Sequence, residues 1–329
     1  MLGKKLQWGI IGLGKIANKF ASDLILSEHS VIQCVASRDR TKAKAFSEKF
    51  KAVRYTESYE NLALDPNVDI VYIATPHSFH FEHTMMCLEN GKSVLCEKPM
   101  GMDSDQVKRM VEEARARNLF FMEGIWTRFI PATEKLLELI YDKHIGDIIS
   151  VRADFGFKAD FDPEGRIYKK ELGAGSLLDI GIYPIYLSLL LCGMPNEIKA
   201  MARFTETEVD SYCSMLFNYE NNTKAILEST IEADTPIEAY IYGTQGHIKL
   251  HSRFHHSEKI SLYKNGHAEE IFDLKYKGEG YYHEIEEVYQ CMINGKTEST
   301  KHSLQCTQDL MAIIDRVKKA INLEYNRNK

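Results

Sequence analysis

The side chains best placed for chemistry are a lysine at a strand end and an acid–phenol pair further along the chain. Lys98 follows the apolar run 93–96 and precedes Pro99, so it leaves a strand where an open parallel sheet gathers its ligands. Asp179 and Tyr183 are four residues apart among apolar neighbours, and a helix places such a pair on one face. This spacing indicates a proton-handling pair. The alternative is a core tyrosine with a satisfied hydroxyl and an acid at a helix start.

A glycine-rich turn near the start of the chain has the pattern of a phosphate-binding loop. Gly12 permits a tight turn, Gly14 lets the backbone approach a pyrophosphate, and Ala17 keeps the following helix close to its strand. Lys15 and Ile16 open that helix, whose unpaired N–H groups face the phosphates. The surrounding pattern predicts strand, helix and strand over residues 7–11, 16–26 and 31–36. The turn therefore predicts a dinucleotide site, the alternative being a turn that only packs.

The end of the second strand bears on which dinucleotide binds. Ser37 stands where an NAD site usually carries an acid, so nothing there repels a 2′-phosphate, and Arg38 can pair with that phosphate or stack on adenine. NADP is therefore favoured. NAD stays possible because a shift of one residue would bring Asp39 into the acidic position, and Arg40 and Lys42 are equally consistent with solvated charges at a helix start.

Two groups of histidines raise the alternative of a metal site. They are His77, His80 and His83, and His251, His255 and His256. Side chains at i, i+3 and i+6 drift around a helix, and no acidic or thiol partner stands at a usual ligand spacing, so no metal is expected. We interpret His77 as a nicotinamide or substrate contact, His80 as a helix-start residue, and segment 251–256 as a polar edge or loop.

Composition limits the class of protein. The chain has 329 residues, of which 44% are hydrophobic and 27% charged, which indicates two globular domains. A net charge of −6 without a basic block argues against nucleic acid as a partner. We find no apolar stretch of membrane length and no signal-peptide pattern, so a cytoplasmic protein without a membrane partner is expected. The seven cysteines are expected to be reduced, with Cys96 in the core.

The order of elements predicts an α/β protein of two domains. Up to about residue 122 strands alternate with helices, which indicates a doubly wound Rossmann domain over 1–122. Beyond it, residues 123–329 predict an α+β domain with a large, mostly antiparallel open sheet. One face of that sheet carries alternating apolar residues that helices starting at 281 and 304 cannot cover, so we expect it to meet a second copy: Ala200, Ala202, Met215, Phe217, Ala225 and Leu227.

Three motifs together carry a family resemblance. Gly12-x-Gly14-x-x-Ala17, Glu97-Lys98-Pro99 and Gly173-x-Gly175-x-x-x-Asp179-x-Gly181-x-Tyr183 resemble the superfamily of glucose-fructose oxidoreductase, inositol dehydrogenase and MocA over essentially the whole chain. Tyr183, where inositol dehydrogenases typically have histidine, resembles the branch of dimeric dihydrodiol dehydrogenases and NADP-dependent xylose dehydrogenases. Ala174, where glycine is frequent, is a small departure from the pattern.

The resemblance implies roles for particular residues. Lys98 and Tyr183 are implied to be the catalytic pair, with Asp179 binding substrate or holding Lys98, and Pro99 to follow a cis peptide bond. Substrate residues vary within the branch, so Trp126, Phe155 and Arg166 are candidates by position only, beside Asp179 and Tyr183. The implied cofactor residues are Gly12, Gly14, Lys15, Ile16, Ser37, Arg38, Thr75, Pro76, His77, His80, Glu97 and Lys98. The second sheet is implied to form a dimer interface, which gives a homodimer or homotetramer.

The expected activity follows from these roles. An unperturbed phenol has a pKa of about 10 and stays protonated at neutral pH, but a nearby ammonium lowers that value, so Tyr183 can serve as base in oxidation and acid in reduction. The sequence thus predicts an NADP-dependent oxidoreductase that transfers hydride to or from a sugar, polyol or cyclic diol. The alternative is a non-catalytic dinucleotide sensor of the same fold, which would have no need of both Lys98 and Tyr183.

Overall fold

The computed structural model describes residues 5–325 and divides into two compact units. The first unit contains the chain up to Phe129 together with Tyr276–Gln308, and the second contains Ile130–Lys275 and the chain from Asp309 onward. Residues 1–4, on which the signal-peptide expectation partly rests, lie outside the described part. The expected boundary between residues 122 and 123 stays a prediction.

The sheet of the first unit has six parallel strands. They are β1 (Leu6–Ile11), β2 (Ser30–Ala36), β3 (Arg54–Thr56), β4 (Ile70–Ile73), β5 (Ser93–Glu97) and β6 (Phe121–Gly124). Their order is β3-β2-β1-β4-β5-β6, and β4 and β5 are buried along their whole length, as in a sheet covered on both faces. The doubly wound fold is therefore confirmed. Its strand order reverses between β1 and β4, where such sheets form a ligand-binding crevice.

Five helices connect these strands. They are α1 (Lys15–Leu24), α2 (Arg40–Phe50), α3 (Tyr59–Ala63), α4 (His80–Glu89) and α5 (Ser104–Ala116). Side chains of Asp39, Ser58 and Asp103 cap α2, α3 and α5 by accepting backbone N–H bonds, which explains where these helices begin.

The second unit contains an eight-stranded sheet. Its elements are α6 (Pro131–Tyr141), β7 (Ile148–Gly156), α7 (Ile182–Cys192), β8 (Glu197–Phe204), β9 (Asp210–Asn218), β10 (Lys224–Thr230), β11 (Ala239–Gly243), β12 (Gly246–Leu250), β13 (Lys259–Lys264) and β14 (Glu270–Asp273). The order is β14-β13-β12-β11-β7-β10-β9-β8, in which only β7 and β10 pair in parallel, so the mostly antiparallel sheet is confirmed. Two further helices follow within residues 5–325: α8 (Tyr282–Ile293) and α9 (Leu304–Ala320).

Helix α7 is preceded by one wide turn. Leu177–Gly181 form a turn of π-helix that runs directly into α7, so the regular phase expected between Asp179 and Tyr183 is not observed. Such turns are rare and occur often at functional sites. The stretch Lys170–Cys192 is long and apolar enough to cross a membrane by length and composition, but most of it is buried inside the structure, as in the core helix of a globular protein.

The sheet face that we expected to meet a second copy of the chain is instead covered within the second unit. Met215, Phe217, Ala225 and Leu227 are buried, and Ala200 and Ala202 are partly buried, on the face that packs inward. The sequence interpretation counted only the helices from residues 281 and 304 as cover, whereas α7 packs against β7 and β10. The exposed apolar side chains belong to the opposite face: Met201, Leu216 and Ile226.

Candidate active site

The glycine turn has the conformation that a dinucleotide site needs. Gly12 has φ +85°, and a Cβ there would lie 2.6 Å from the Ala74 carbonyl and the Thr75 nitrogen, so only glycine fits. Gly14 precedes α1, and a Cβ added there would meet open space. Among the described residues no side chain caps α1, and its first turn has no acid, which leaves its N–H groups for an anion. Lys15 and Ile16 are exposed at this helix start, and Ala17 is buried.

The residues after β2 support the interpretation of Ser37 and Arg38. Asp39, the competing acid, caps α2 by accepting N–H bonds from Thr41 at 2.9 Å and Lys42 at 3.2 Å. Ser37 is buried and accepts the Asp39 N–H at 3.2 Å, whereas Arg38 is exposed. The structure thus gives Asp39 a local structural role and leaves the Arg38 guanidinium accessible to a ligand.

The loop after β4 is held by two histidines. His83 Nδ1 lies 3.1 Å from the Thr75 hydroxyl, and burial, with the Arg38 charge, lowers the pKa of His83 to about 4. His80 is fully buried, with Nδ1 2.8 Å from the Pro99 carbonyl and Nε2 2.8 Å from the Thr75 carbonyl. Burial lowers the pKa of His80 to about 4, against the opposing effect of these two carbonyl acceptors.

This arrangement changes the interpretation of His80. Its ring connects the loop after β4 with the loop after β5, so any effect on a bound dinucleotide is indirect. Pro76 opens the same loop, and His77, also buried, lies in the short turn His77–Phe79 that precedes α4. Among the described residues no group of three or more His, Cys, Asp or Glu side chains is arranged to hold a metal ion.

Lys98 lies at the end of β5 next to a buried acid. The Lys98–Pro99 peptide bond is cis, as the resemblance implied. Glu97 accepts the Lys98 N–H at 3.2 Å and the Tyr72 hydroxyl, and burial raises the pKa of Glu97 above its usual range. Cys96 is fully buried in the core, as expected, and all seven cysteines are free thiols.

An aromatic pair lies in the same unit. The Trp126 and Tyr281 rings stack with centroids 4.6 Å apart and an interplanar angle of 8°. Gly280 has φ +103°, and a Cβ there would lie 2.5 Å from the Trp126 ring, so this contact also requires glycine. Tyr281 was not singled out from the sequence because 155 residues separate it from Trp126 and no motif connects the two.

In the second unit, Tyr183 belongs to an aromatic cluster. Its ring lies 5.7 Å from that of Phe155 on β7 and 4.8 Å from that of His255, and Phe155 and His255 stack at 4.4 Å. Segment 251–256 lies in the connection between β12 and β13, in agreement with the loop interpretation, but His255 within it is buried and does not lie at a polar edge. No local pattern revealed it, since the strand order of the sheet, not sequence proximity, brings it to Tyr183.

Asp179 forms an ion pair with Arg166. Nη1 donates to Oδ1 at 3.1 Å and Nη2 to Oδ2 at 3.0 Å, the bidentate geometry that fixes a carboxylate in orientation. Asp179 is buried and Arg166 half-exposed. The second unit thus places a tyrosine hydroxyl, two aromatic faces and an oriented carboxylate around one helix start. An arrangement of this kind can position a hydroxyl-bearing ring and exchange a proton with it.

A doubly wound sheet with an open glycine turn, followed by a second unit with a tyrosine and an oriented carboxylate at one helix start, is typical of dinucleotide-dependent oxidoreductases. Residues 6–125 match the family model described as "Oxidoreductase family, NAD-binding Rossmann fold", and residues 133–249 match the "GFO/IDH/MocA C-terminal domain". The chain belongs to the Gfo/Idh/MocA oxidoreductase family. The resemblance drawn from the three motifs is therefore confirmed.

Individual relatives give the same result. The chain is 38% identical over 332 residues to trans-1,2-dihydrobenzene-1,2-diol dehydrogenase of Xenopus laevis, covering 97% of this chain and 99% of the relative. The Homo sapiens protein of that name is 35% identical over 335 residues, covering 98% and 99%. These matches confirm the expected class, a dehydrogenase that uses a nicotinamide dinucleotide.

Two solved structures have the same fold. A 3-ketoreductase from Actinomadura kijaniata in complex with NADP superposes with a TM-score of 0.85 at 25% identity, covering 97% of this chain and 98% of that one. An aldose-aldose oxidoreductase from Caulobacter crescentus superposes with a TM-score of 0.88 at 24% identity, with coverage of 97% and 98%. Both alignments extend over nearly the whole chain, so the two-domain fold is confirmed.

Proposed function

We propose that this protein is an NADP-dependent dehydrogenase that interconverts a hydroxyl and a carbonyl on a cyclic diol, sugar or polyol. The observation that carries the proposal is the surroundings of Tyr183. Phe155 and His255 lie against its ring, and Arg166 orients Asp179 four residues before it. A surface of aromatic faces and charged hydrogen-bonding groups suits a ring that carries hydroxyl groups.

The residues of the first unit fit NADP. The open space at Gly14 and the uncapped N–H groups of α1 suit a pyrophosphate. Ser37 places no negative charge near a 2′-phosphate, and exposed Arg38 can pair with one, while Asp39 is used as a helix cap. When bound, the nicotinamide supplies the hydride chemistry.

In this proposal the chain's own residues manage the proton. Tyr183 would take the proton of a substrate hydroxyl during oxidation and return it during reduction. Lys98 would place a positive charge that favours the phenolate, because an opposite charge nearby stabilises the ionised form. Asp179, fixed by Arg166, would accept a hydrogen bond from a substrate hydroxyl and orient it.

The names of the relatives support the choice of substrate class. The curated relatives are named as dehydrogenases of trans-1,2-dihydrobenzene-1,2-diol, a flat cyclic diol. The faces of Phe155 and His255 would contact the apolar faces of such a ring, and Trp126 is a further candidate from the first unit. Because sugars combine the same features, aldoses belong to the proposed class.

The wider setting is part of the proposal. We propose a dinucleotide-binding domain over 1–122 and a substrate-binding and dimerisation domain over 123–329, in a cytoplasmic homodimer or homotetramer. A net charge of −6 supports a small-molecule substrate without nucleic-acid or membrane partners.

The test is turnover with a panel of substrates. Purified protein is mixed with NADP or NADPH and with trans-dihydrodiols, aldoses and dicarbonyls, and nicotinamide absorbance is followed. We expect turnover that is lost in Tyr183→Phe and kept in Tyr186→Phe, which removes the same hydroxyl from a fully buried ring on the same helix. NADPH binding without turnover on any compound would instead support the sensor alternative.

A further inference from the structure

A buried carboxylate anchors the start of the helix that carries the candidate catalytic residues. Asp210, the first residue of β9, is fully buried within the second unit. Its Oδ2 accepts the Ser176 hydroxyl at 2.6 Å and the Leu177 backbone N–H at 2.7 Å. Leu177 begins the π-helical turn that contains Asp179 and leads into Tyr183. Asp210 therefore acts as a cap provided by a neighbouring strand.

The motif around Gly175 is shaped to admit this carboxylate. Gly175 has φ +112°, and a Cβ there would lie 2.3 Å from Asp210 Oδ1 and 3.3 Å from the Tyr325 hydroxyl. Gly175 therefore leaves room for Asp210 beneath the turn. The Ser176 hydroxyl also forms a hydrogen bond with the Ser229 hydroxyl, with 3.0 Å between the two oxygens.

Burial and hydrogen bonding have opposite effects on the ionisation of the Asp210 carboxyl. Among the described residues, Oδ1 has no hydrogen-bond partner although it is buried. Burial raises the pKa of Asp210 to about 7, and the bonds from Ser176 and Leu177 oppose that shift. The titratable groups that face it are the Tyr325 hydroxyl, which donates to the Ala174 carbonyl at 2.5 Å, and the Cys213 thiol on the same strand.

We propose that Asp210 is a positioning residue: its ionised carboxylate fixes the turn from which Asp179 and Tyr183 project, and its protonation loosens that turn. A neutral carboxyl is a weaker acceptor for the Leu177 N–H and loses the favourable interaction of an anion with a helix N-terminus. The inference rests on the proposed function, because it gives Asp179 and Tyr183 the roles stated there. The loss of activity at low pH, the acid limb of the pH profile, is thus attributed to a residue that does not contact substrate.

The experiment measures kcat/KM against pH in the direction of carbonyl reduction. In that direction Tyr183 acts as an acid, so its own ionisation lowers the rate at high pH and not at low pH. We expect the wild type to lose activity below about pH 7. Asp210→Asn should lower kcat/KM by about 10–100-fold at about pH 8 and abolish the acid limb, since a small misplacement of reacting groups has an effect of that size.

Two further variants keep the test decisive. Ser176→Ala removes one hydrogen bond to the ionised form, so the acid limb should move to higher pH. Asp65→Asn, a control at a buried acid of the first unit that pairs with Arg54, should keep the wild-type profile. If Asp210→Asn does not fold, an unmoved acid limb in Ser176→Ala would overturn the inference. In the infrared difference spectrum of wild type against Asp210→Asn at acidic pH, one carboxyl carbonyl band should remain, because all other carboxyl groups are common to the two proteins.

The outcomes separate this inference from the proposed function. Full activity in Tyr183→Phe would remove the proposed function and with it the role of the helix start. An inactive Tyr183→Phe combined with a wild-type profile in Asp210→Asn would overturn the positioning role alone. Unchanged NADPH affinity in Asp210→Asn, measured by fluorescence, is expected, and a large loss of affinity would contradict a role confined to the second unit.

Discussion

Arg166 holds Asp179 through two parallel hydrogen bonds of 3.1 and 3.0 Å, so the orientation of this carboxylate is set before any substrate arrives. The pair was not predicted, although both residues were expected to contact substrate. Because the planar guanidinium alone makes this bidentate contact, lysine is not an equivalent substitute.

Arg166→Lys should therefore impair activity, although the substitution keeps the positive charge. A hydrogen bond to a charged group contributes about 1.5–3 kcal/mol, so we expect kcat/KM to fall roughly 10–100-fold in steady-state assays. The matched control is Arg203→Lys, which changes an exposed arginine of β8 that pairs with Glu232, two residues after β10. Equal effects of the two substitutions would show that Arg166 does not orient Asp179 for catalysis.

Lys98 and Tyr183 should behave as one functional unit. Tyr183→Phe should lower kcat by roughly 10²–10⁴ while NADP affinity is kept. Lys98→Met should lower it similarly and shift the onset of oxidation to higher pH, because the charge that favours the phenolate is lost. Steady-state rates of the double variant should be little worse than those of the poorer single one. Fully multiplicative losses would mean that the two residues have independent roles.

Arg38 should distinguish NADP from NAD. Arg38→Ala removes the charge proposed for the 2′-phosphate, a contact that contributes about 1.5–3 kcal/mol, so NADP should bind roughly 10–100-fold more weakly with little change for NAD. Fluorescence titration with both dinucleotides measures this. Arg40→Ala is the control, since Arg40 pairs with Glu57 at 3.3 Å and should matter little for either. Equal losses for both dinucleotides would mean that Arg38 only stacks on adenine.

The parts of the fold that were predicted depend on local sequence. The glycine turn requires φ > 0 at Gly12, and Gly14 leaves open space for a ligand in front of α1; both features can be recognised from a few residues. Strand β5 was predicted because a continuous apolar run bounded by polar residues is typical of a buried parallel sheet. The Glu97-Lys98-Pro99 motif could likewise be recognised from three adjacent residues.

The parts that were missed depend on contacts between distant segments. His255 reaches Tyr183 through the order of strands in the second sheet, and Asp210 reaches Leu177 across 33 positions. Nothing in the residues next to either one indicates the contact. The sheet face was misassigned for a related reason: alternation shows that two faces differ, but which one is covered depends on where α7 packs.

Ile226 should belong to the surface that meets a second copy. It is 47% exposed and lies directly opposite Leu216, 45% exposed, across β9 and β10. Ile226→Lys should weaken self-association at least about tenfold by placing a charge in an apolar contact. Sedimentation at micromolar concentration measures it, with Ile271→Lys on β14, where the side chain is 49% exposed, as control. A monomeric wild type, or equal effects of both substitutions, would contradict this interface.

Glu284 should make the first unit less stable as pH rises. It is fully buried, and among the described residues neither carboxylate oxygen has a hydrogen-bond partner. Burial, reinforced by the negative charges of Glu97 and Asp23, raises the pKa of Glu284 well above its usual range. Its folded-state pKa is thus higher than its unfolded-state pKa of about 4.3, so its contribution to stability is complete below that pH and is lost as pH rises through the folded-state pKa.

Glu284→Gln removes this titration while nearly preserving the shape of the side chain. Glu284 lowers the free energy of unfolding of the wild type by up to about 1.4 kcal/mol per pH unit, and the variant should lack that slope. Denaturant unfolding between about pH 5 and pH 8 measures the difference, which should grow in favour of the variant as pH rises. Glu286→Gln, on the same helix with its carboxylate bonded to the Ser27 hydroxyl at 2.6 Å, should keep the wild-type slope. Parallel pH dependences of wild type and Glu284→Gln would show that Glu284 is ionised in the folded protein.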